Sequence, residues 1–303
     1  MDLKSKIILI SGPTACGKSN FALKLSKKIR GEIINADSMQ VYKQLKILTA
    51  RPTQKSQKQI KHHLYGFQNV AKKFSTGVWL KLAIKKIKEI RKKNKVPILV
   101  GGTGLYFKAL TDGLVKIPNI PLKIRNEARY MQKKIGQENF YKKLIKLDSL
   151  AVNQIYPNDV QRTIRAYEIK KYTKISMYKW FKKTKQFFNK DVFLKFYIDF
   201  NREKLIERIN SRVEKMFKNG AIKEVQRFNK LIIKKENSAN KVIGIQEISK
   251  YLNGEIGLLE AKKQILIKTR QYAKRQTTWA RGQMMNWQKI DAQNLSSALK
   301  ILK

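Results

Sequence analysis

The stretch IILISGPTACGKS, residues 7–19, joins a short apolar run to a glycine-rich segment that ends in a Lys-Ser pair. Residues 12–19 fit the pattern G-x-x-x-x-G-K-[ST] in full, between a predicted buried strand at 6–11 and a predicted helix at 18–30. In this motif the glycines let backbone N–H groups converge on an anion, the helix N-terminus adds a positive dipole, and the lysine adds a charge. The stretch therefore predicts a phosphate-binding loop, without indicating whose phosphates it holds.

The apolar runs further along the chain predict a parallel α/β sheet. Strands are expected at 32–35, 96–102 and 192–200, and helical periodicity separates them, as at 78–93. Strands that alternate with helices form parallel sheets, which bind ligands at the carboxyl ends of their strands. The fold class that follows is a P-loop NTPase-like parallel sheet core flanked by helices.

The pattern changes after Gly113, where strand signals stop and Lys and aromatic residues accumulate. We predict a mostly helical insertion domain at 114–195 within a core domain made of 1–113 and 196–303. The aromatic side chains near its end are expected to serve mainly as the core of the insertion. Further helices are predicted at 202–218, 221–233, 243–252 and 258–283, with an exposed loop at 234–241.

The chain carries 67 basic and 21 acidic residues, a formal net charge of +46. This balance favours a polyanionic partner such as nucleic acid, although an A/T-rich coding composition would also enrich Lys, Ile and Asn. A single cysteine, Cys16, excludes a disulfide framework. The N-terminal apolar run is too short for a signal peptide, and no run reaches the length of a membrane span. We expect a cytoplasmic protein with no membrane association.

Asp37 follows the strand predicted at 32–35, so it is expected at the same edge of the sheet as the phosphate-binding loop. A carboxylate beside bound phosphates is costly unless it has a partner or a function. Asp37 could take a proton from a nucleophile or cap a helix, and its spacing leaves both roles open. Thr103, within GGTG at 101–104, is expected on the same rim, although a tight turn alone would also explain that segment.

The second apolar strand of a nucleotide hydrolase usually ends in an Asp that supports Mg²⁺. The best candidate here, PILVGG at 97–102, ends in glycines, and Asp199 is a weaker substitute. The sequence therefore disfavours ATP hydrolysis as the function of the loop.

Several blocks, in this order, resemble the tRNA dimethylallyltransferase (isopentenyl-tRNA transferase) family of the P-loop superfamily, nearly end to end. They are GPTACGKS (12–19), NADSMQVYK (35–43), TARP (49–52), HHL (62–64), PILVGGTGLYFKAL (97–110), PNDVQRTIRAYEI (157–169), LIERINSRVEKMFKNGAIKEV (205–225) and TRQYAKRQTTWAR (269–281).

The resemblance implies a transferase in tRNA modification that is not an ATP-consuming enzyme, although this loop motif is often described as an ATP site. In that family the loop cradles the diphosphate of dimethylallyl diphosphate, and the prenyl group moves to N6 of the adenosine on the 3′ side of the anticodon. The diphosphate cradle that it implies is Gly12, Pro13, Thr14, Ala15, Cys16, Gly17, Lys18 and Ser19.

The resemblance also implies roles for individual residues. Asp37 matches the general base, and Thr103 and Arg208 match further catalytic positions, with Arg212 an alternative to Arg208 one helical turn away. Mg²⁺ is the implied cofactor, with Ser19 as its protein ligand. The tRNA-binding positions that it implies are Asp37, Ser38, Met39, Gln40, Thr103, Arg125, Gln161, Arg162, Thr163, Ile164 and Arg165.

The chain departs from the family pattern at a few positions. Leu48 stands where the family usually has Gly, Arg51 replaces a Lys, and Ile245 replaces an aromatic residue after Ile-Gly. The pair His62-His63 matches a family element, but we expect it to be structural.

The partners expected from this assignment are the tRNA anticodon stem-loop and dimethylallyl diphosphate. We expect the protein itself to be a monomer. Two alternatives remain: a P-loop small-molecule kinase, and a non-catalytic RNA-binding protein that uses the positive field. A prenyltransferase for free adenine nucleotides is a close relative, and the basic insertion and the QRTIR element at 161–165 argue against it.

Overall fold

The computed structural model describes residues 3–295 and confirms the predicted α/β class. Six strands form one parallel sheet in the order β3-β2-β4-β1-β5-β6. They are β1 (Ile7–Ser11), β2 (Gly31–Asn35), β3 (His62–His63), β4 (Val96–Gly101), β5 (Phe193–Asp199) and β6 (Gln288–Asp291).

The helices of the described chain agree closely with the predicted periodicity. None of them is both long and apolar enough to cross a membrane. They are α1 (Lys18–Lys28), α2 (Gln54–Gln59), α3 (Thr76–Arg91), α4 (Gly104–Thr111), α5 (Leu122–Leu147), α6 (Val160–Thr173), α7 (Met177–Phe181), α8 (Arg202–Lys218), α9 (Ala221–Asn229), α10 (Ile245–Leu252) and α11 (Leu258–Gln283).

Strand β1 lies in the middle of the sheet, and all five of its residues are buried. It pairs with β4 on one side, where Leu9 faces Leu99, and with β5 on the other. A strand covered on both faces reads as an unbroken apolar run, which is why the sequence revealed it. Because the phosphate-binding loop follows β1 directly, the loop lies at the centre of the sheet's carboxyl edge.

The order of the strands decides which loops meet at that edge. Strand β4 lies between β1 and β2, so the segment after β4 is flanked by the segments after the other two. Thr103 comes two residues after β4, and Asp37 comes two residues after β2. The topology thus brings the loop at 12–19, Thr103 and Asp37 together from three separate parts of the sequence.

The contacts divide the chain into two compact units: one is Asp112–Phe187, and the other runs up to Thr111 and resumes at Phe188. The sheet belongs to the latter, and β5 begins at Phe193, inside the range predicted for the insertion. The unit Asp112–Phe187 contains only helices and turns among its assigned elements.

The helical unit has its own small core. Phe140, Leu144 and Ile169 are fully buried there, and Tyr167 packs against Phe140 with ring centroids 5.0 Å apart. Helix α5 is broken at Gly136, whose φ of 78° is outside the helical region. Several aromatic side chains are instead exposed, so the predicted core role holds for only part of the set: Tyr172, Phe181 and Phe187 are the exposed ones.

The two adjacent histidines have structural partners, as expected. Glu32 of β2 is buried and accepts hydrogen bonds from His63 Nε2 at 2.6 Å and Lys95 Nζ at 2.8 Å. Burial alone would raise the pKa of Glu32, but these two partners outweigh burial and lower it. His62 Nδ1 lies 2.7 Å from the carbonyl oxygen of Ile60.

A buried carboxylate on α9 fixes the segment between β2 and α2. The side chain of Glu224 accepts hydrogen bonds from three consecutive backbone N–H groups, those of Lys46, Ile47 and Leu48, at 2.7, 2.8 and 2.9 Å. A carboxylate that receives several backbone N–H bonds forms strong, charge-assisted contacts. This carboxylate clamp holds the segment 46–48 in one conformation.

We predict that Glu224→Ala lowers the free energy of unfolding by about 2–3 kcal/mol, because three backbone donors, of which that of Leu48 is buried, lose their acceptor. Glu214→Ala is the matched control: its side chain is 52% exposed and forms a surface ion pair with Lys262, so its loss should be below about 1 kcal/mol. Urea unfolding followed by circular dichroism measures both. Equal losses in the two variants would contradict the proposed clamp.

Candidate active site

The phosphate-binding loop is formed and open to an anion. Gly17, with a φ of 94°, precedes α1, whose first N–H groups have no side-chain cap among the described residues. Uncapped N–H groups at a helix start attract anions, and the helix dipole adds to this attraction. Lys18 Nζ donates to the carbonyl oxygen of Pro13 at 2.9 Å, so the ammonium group lies against the loop itself.

Helix α8 brings a guanidinium group to the same loop. A Cβ atom added to Gly17 would lie 3.4 Å from a terminal nitrogen of Arg208. The Arg208 guanidinium also packs over the ring of Phe200, 5.1 Å from its centroid. The structure therefore places Arg208, which the sequence singled out, beside the phosphate-binding loop. Its catalytic role stays a prediction.

Asp37 is held by local hydrogen bonds that leave part of its carboxylate available. Its N–H donates to Asn35 Oδ1 at 2.8 Å, and its Oδ1 accepts from the N–H of Met39 at 2.9 Å. The prediction that Asp37 could cap a helix is wrong, because the next helix after β2 is α2 at Gln54–Gln59. Its carboxylate closes a turn instead, and that turn uses only Oδ1. Oδ2 makes no hydrogen bond within residues 3–295, so the same side chain can also accept a proton.

The electrostatic neighbours of Asp37 come from other elements. Burial raises the pKa of Tyr272, Tyr106 and Tyr65, and the negative charge of Asp37 raises each further. Burial lowers the pKa of Arg212, and Asp37 acts in the opposite direction. Three phenols and one guanidinium group therefore lie near this carboxylate.

Thr103 lies on the same rim as Asp37, as predicted. Its hydroxyl oxygen accepts from the N–H of Ser38 at 2.9 Å and donates to Ser38 Oγ at 3.3 Å, and its side chain lies near that of Tyr272. The Thr103 N–H donates to the carbonyl oxygen of Ala36 at 3.2 Å. These contacts join the segment after β2, the segment after β4, and α11.

Gln276 on α11 was not identified from the sequence, although it bridges two loops of the site. Its Oε1 accepts from the N–H of Thr14 at 2.8 Å, and its Nε2 donates to the carbonyl oxygen of Gly102 at 3.0 Å. The approach requires glycine at 102, because a Cβ there would lie 1.9 Å from Gln276 Nε2. Tyr272 was also missed. The sequence signal that could have identified both residues is the spacing of four between Tyr272 and Gln276, which places the two polar side chains on one face of the helix.

An apolar cavity of about 270 Å³ adjoins both the loop and Asp37. Its hydrophobic lining comes from Met39, Leu48, Val213, Met216, Val242, Ile243 and Ile265. Polar and charged side chains also line it, namely Thr14, Asp37, Thr49, Arg212, Lys241, Thr269, Tyr272 and Arg275. We call this space the apolar cavity.

A larger cavity of about 800 Å³ touches the loop at Ala15. Its described lining contains no carboxylate, and its cationic side chains are Lys46, Arg51, Arg208, Arg212 and Lys215. We call it the basic cleft. Arg212 and Met216 line both cavities, so a basic chamber and an apolar one share a boundary next to the phosphate-binding loop.

The sequence matches the family model described as IPP transferase over residues 40–283. The chain is 65% identical over 303 residues to the tRNA dimethylallyltransferase of Pelagibacter ubique, covering 100% of this chain and 97% of the relative. This chain belongs to the IPP transferase family. It is also 41% identical over 301 residues to the tRNA dimethylallyltransferase of Rickettsia massiliae, with 99% of this chain and 83% of the relative covered.

Solved structures of the family share the fold. The tRNA isopentenylpyrophosphate transferase of Bacillus halodurans is 31% identical with a TM-score of 0.71, covering 98% of this chain and 95% of that one. A eukaryotic dimethylallyltransferase acting on tRNA is 28% identical with a TM-score of 0.80, covering 96% of this chain and 75% of that one.

The residues present fit magnesium only as part of a metal–diphosphate complex. Ser19 is exposed on the first turn of α1 and offers one hydroxyl oxygen. Within the described chain, no group of three or more His, Cys, Asp or Glu side chains could hold a metal ion. Mg²⁺ commonly keeps several waters and binds through substrate phosphates, so this donor set fits an ion that arrives with a diphosphate.

The family positions for tRNA in the helical unit differ in their exposure. Gln161, Arg162 and Arg165 reach the surface of α6, where the two arginines pair with Asp159 and Glu168. Arg125 carries a buried Nε without a hydrogen-bond partner among the described residues.

Two further positions of the predicted set point into the helical unit. Thr163 is fully buried and donates to the carbonyl oxygen of Asp159 at 2.7 Å, which gives it an internal role. Ile164 packs against the small core. The contact of both with tRNA stays a prediction.

We predict that Gln276→Glu weakens the binding of inorganic diphosphate about tenfold, a change of about 1.4 kcal/mol. The new carboxylate keeps the acceptor for Thr14 but turns a second acceptor towards the Gly102 carbonyl and adds a negative charge beside the loop. Isothermal titration calorimetry measures the change. Gln264→Glu, on the same helix but bonded to Glu260, is the control, and equal weakening in both variants would contradict the assignment.

Proposed function

We propose that this chain is a tRNA dimethylallyltransferase. It transfers the dimethylallyl group of dimethylallyl diphosphate to N6 of the adenosine on the 3′ side of the anticodon, releasing diphosphate and N6-isopentenyladenosine in the tRNA. One observation carries the proposal: the apolar cavity is bordered both by the phosphate-binding loop at Thr14 and by the carboxylate of Asp37. The prenyl chain of the donor is apolar, so it needs an apolar cavity between the diphosphate site and the general base. A nucleotide does not need such a cavity.

The donor fits the site in one orientation. Its diphosphate lies on the N–H groups at 12–19, with Lys18 and the Arg208 guanidinium as counter-charges. Its five-carbon chain enters the apolar cavity and packs against the hydrophobic part of its wall. This arrangement directs the allylic carbon towards Asp37.

The acceptor is the adenine next to the anticodon. It has to flip out of the base stack of the anticodon loop so that its N6 can reach a buried electrophile. The N6 amine attacks the allylic carbon, a C–N bond forms, and the C–O bond to diphosphate breaks. The proton of N6 passes to Asp37 Oδ2, the carboxylate oxygen that local hydrogen bonds leave free. Thr103, hydrogen-bonded to Ser38 and close to Tyr272, orients the rim on which the adenine edge sits.

The departing diphosphate carries the charge that the site must stabilise. Preorganised donors at the loop, the Lys18 ammonium group and Arg208 are aimed at that charge before the reaction begins. When bound, magnesium supplies further charge neutralisation on the diphosphate oxygens, with Ser19 as its one protein ligand.

The net charge of +46 supports an RNA acceptor. Exposed arginines at the family positions of α6 are available for phosphate contacts, which position an RNA without reading its sequence. The names of the relatives and of the solved structures agree with tRNA as the substrate.

We predict that Asp37→Asn lowers the transfer of label from radiolabelled dimethylallyl diphosphate to tRNA by about a hundredfold to ten-thousandfold. The amide keeps an oxygen for the Met39 N–H, so the turn survives while the base is lost. Asp191→Asn, an exposed carboxylate before β5, is the control. Near wild-type transfer in Asp37→Asn would leave Asp37 with only its role in the turn.

The same assay separates the alternatives. A small-molecule kinase would turn over ATP without RNA and transfer no label to tRNA. A non-catalytic RNA-binding protein would bind tRNA tightly, transfer no label, and be indifferent to the change at Asp37. A prenyltransferase for free adenine nucleotides would label adenosine phosphates in preference to tRNA.

We predict that chelating magnesium with EDTA abolishes transfer and that added MgCl₂ restores it. Ser19→Ala should raise the magnesium concentration needed for half-maximal rate severalfold, because a ligand oxygen is lost. Ser5→Ala, before β1 and outside the site, is the control for the loss of a hydroxyl. Full transfer in the presence of EDTA would show that the reaction does not require magnesium.

A further inference from the structure

We propose that the basic cleft is a second diphosphate-binding site, through which the prenyl donor enters and the diphosphate product leaves. The proposal rests on the proposed function, in which a diphosphate occupies the phosphate-binding loop next to this cleft. It assigns a use to Lys46, Arg51 and Lys215, cations of the cleft that take no part in the transfer step.

One wall of the cleft is a single face of α8 that carries a cation on each turn. Arg208, Arg212 and Lys215 line the cleft, and their spacing of four and then three residues places them on the same side of the helix. At a rise of about 1.5 Å per residue, this row extends about 10 Å along the helix from Arg208, which lies beside the loop. A diphosphate that leaves the loop therefore meets a further cation at each turn.

The segment 46–53 forms the rest of the charged wall and adds Lys46 and Arg51. The carboxylate clamp of Glu224 holds its first residues. The N–H of Arg51 donates to the carbonyl oxygen of Lys46 at 3.1 Å, and its guanidinium group donates to that of Lys43 at 2.9 Å. Because these bonds fix the segment before any ligand arrives, binding an anion there costs less conformational entropy.

The cations of the cleft have no carboxylate partners of their own. None of the five forms an ion pair with a carboxylate of residues 3–295. Thr53, Ser211 and Asn219 also line the cleft, and their hydroxyl and amide groups can hydrogen-bond to phosphate oxygens. A net charge of +46 leaves many lysines unpaired, but these five cations surround a concave space that reaches the loop at Ala15. Such a space favours a small anion with several charges.

The arrangement of the two cavities gives the direction in which the donor enters. Arg212 and Met216 line both, so the basic cleft and the apolar cavity meet at these side chains. A donor that arrives through the cleft moves its prenyl chain past Met216 into the apolar cavity, and its diphosphate follows along the cations to the loop. Entry from the apolar side would drag the diphosphate past hydrophobic side chains, at a high cost in lost hydration.

The same route suits the diphosphate product. After the transfer, the apolar cavity holds the prenyl group, which is now bonded to the RNA and closes that side of the site. Arg208 borders both the loop and the cleft, so it can pass the diphosphate from the loop to Lys215 and Lys46. The product therefore leaves while the modified RNA is still bound.

The experiment titrates inorganic diphosphate into protein that is saturated with the unreactive sulfur analogue of dimethylallyl diphosphate, which occupies the loop and the apolar cavity. Isothermal titration calorimetry should show one diphosphate bound per wild-type chain. The double variant Lys46→Gln/Lys215→Gln should weaken this binding about tenfold or more, because two charge-assisted contacts are lost. Binding of the analogue should stay within about twofold of wild type, because the loop keeps Lys18 and Arg208 and the lost charges are screened.

The double variant Lys85→Gln/Lys88→Gln is the matched control. It removes the same charge from two exposed lysines of α3 that line neither cavity. Helix α3 leads into β4, so these lysines lie towards the amino ends of the strands, away from the loop. This variant should bind the second diphosphate as the wild-type chain does.

The outcomes separate this proposal from the function on which it rests. No diphosphate bound to the analogue-saturated wild-type chain, or equal weakening in both double variants, would overturn the second site while leaving the transferase intact. Displacement of the second diphosphate by an anticodon stem-loop RNA, with RNA affinity lost in Lys46→Gln/Lys215→Gln, would overturn it in favour of an RNA site. A wild-type chain that neither binds the analogue nor transfers label to tRNA would overturn the proposed function.

Discussion

The arrangement of the site depends on the backbone N–H groups at the start of α1, which have no side-chain cap among residues 3–295. The loop that leads to them follows the buried central strand β1. A helix start without a cap attracts an anion, and the remaining parts of the site are placed around that anion. Lys18 and Arg208 add charge at the loop, and the neighbouring strands deliver Thr103 and Asp37 to the same edge.

Helix α11 ties these separate parts together. Tyr272 and Gln276 lie one turn apart: Tyr272 lies near Thr103 on the rim, and Gln276 accepts a hydrogen bond from the N–H of Thr14 in the loop. The donor and acceptor sides of the site therefore share one rigid support, which preserves the geometry that a transfer between two substrates needs. Elsewhere in the lining of the apolar cavity, Glu224 plays a comparable role by fixing the segment that carries Leu48.

Much of the fold could be predicted because its signals are local. The buried strand β1, the loop motif, and helices such as α8 and α11 follow from apolar periodicity within short windows, and the predicted bounds of α8 and α11 match the structure. Strands β3 and β6 were missed because β3 has two residues and β6 is mostly exposed, so neither leaves an apolar pattern. The position of Asp37 was predictable because it directly follows a predicted strand of a parallel sheet, but the roles of Gln276 and Glu224 were not. Each binds backbone groups that are far away in the sequence, and no local sequence pattern predicts such a contact.

The most direct test of the account is a crystal structure of the protein with the unreactive sulfur analogue of dimethylallyl diphosphate. The account predicts diphosphate oxygens on the N–H groups at 12–19, with Arg208 beside them and the dimethylallyl chain in the apolar cavity. A prenyl chain found outside that cavity, or a diphosphate bound only in the basic cleft away from the loop, would contradict it.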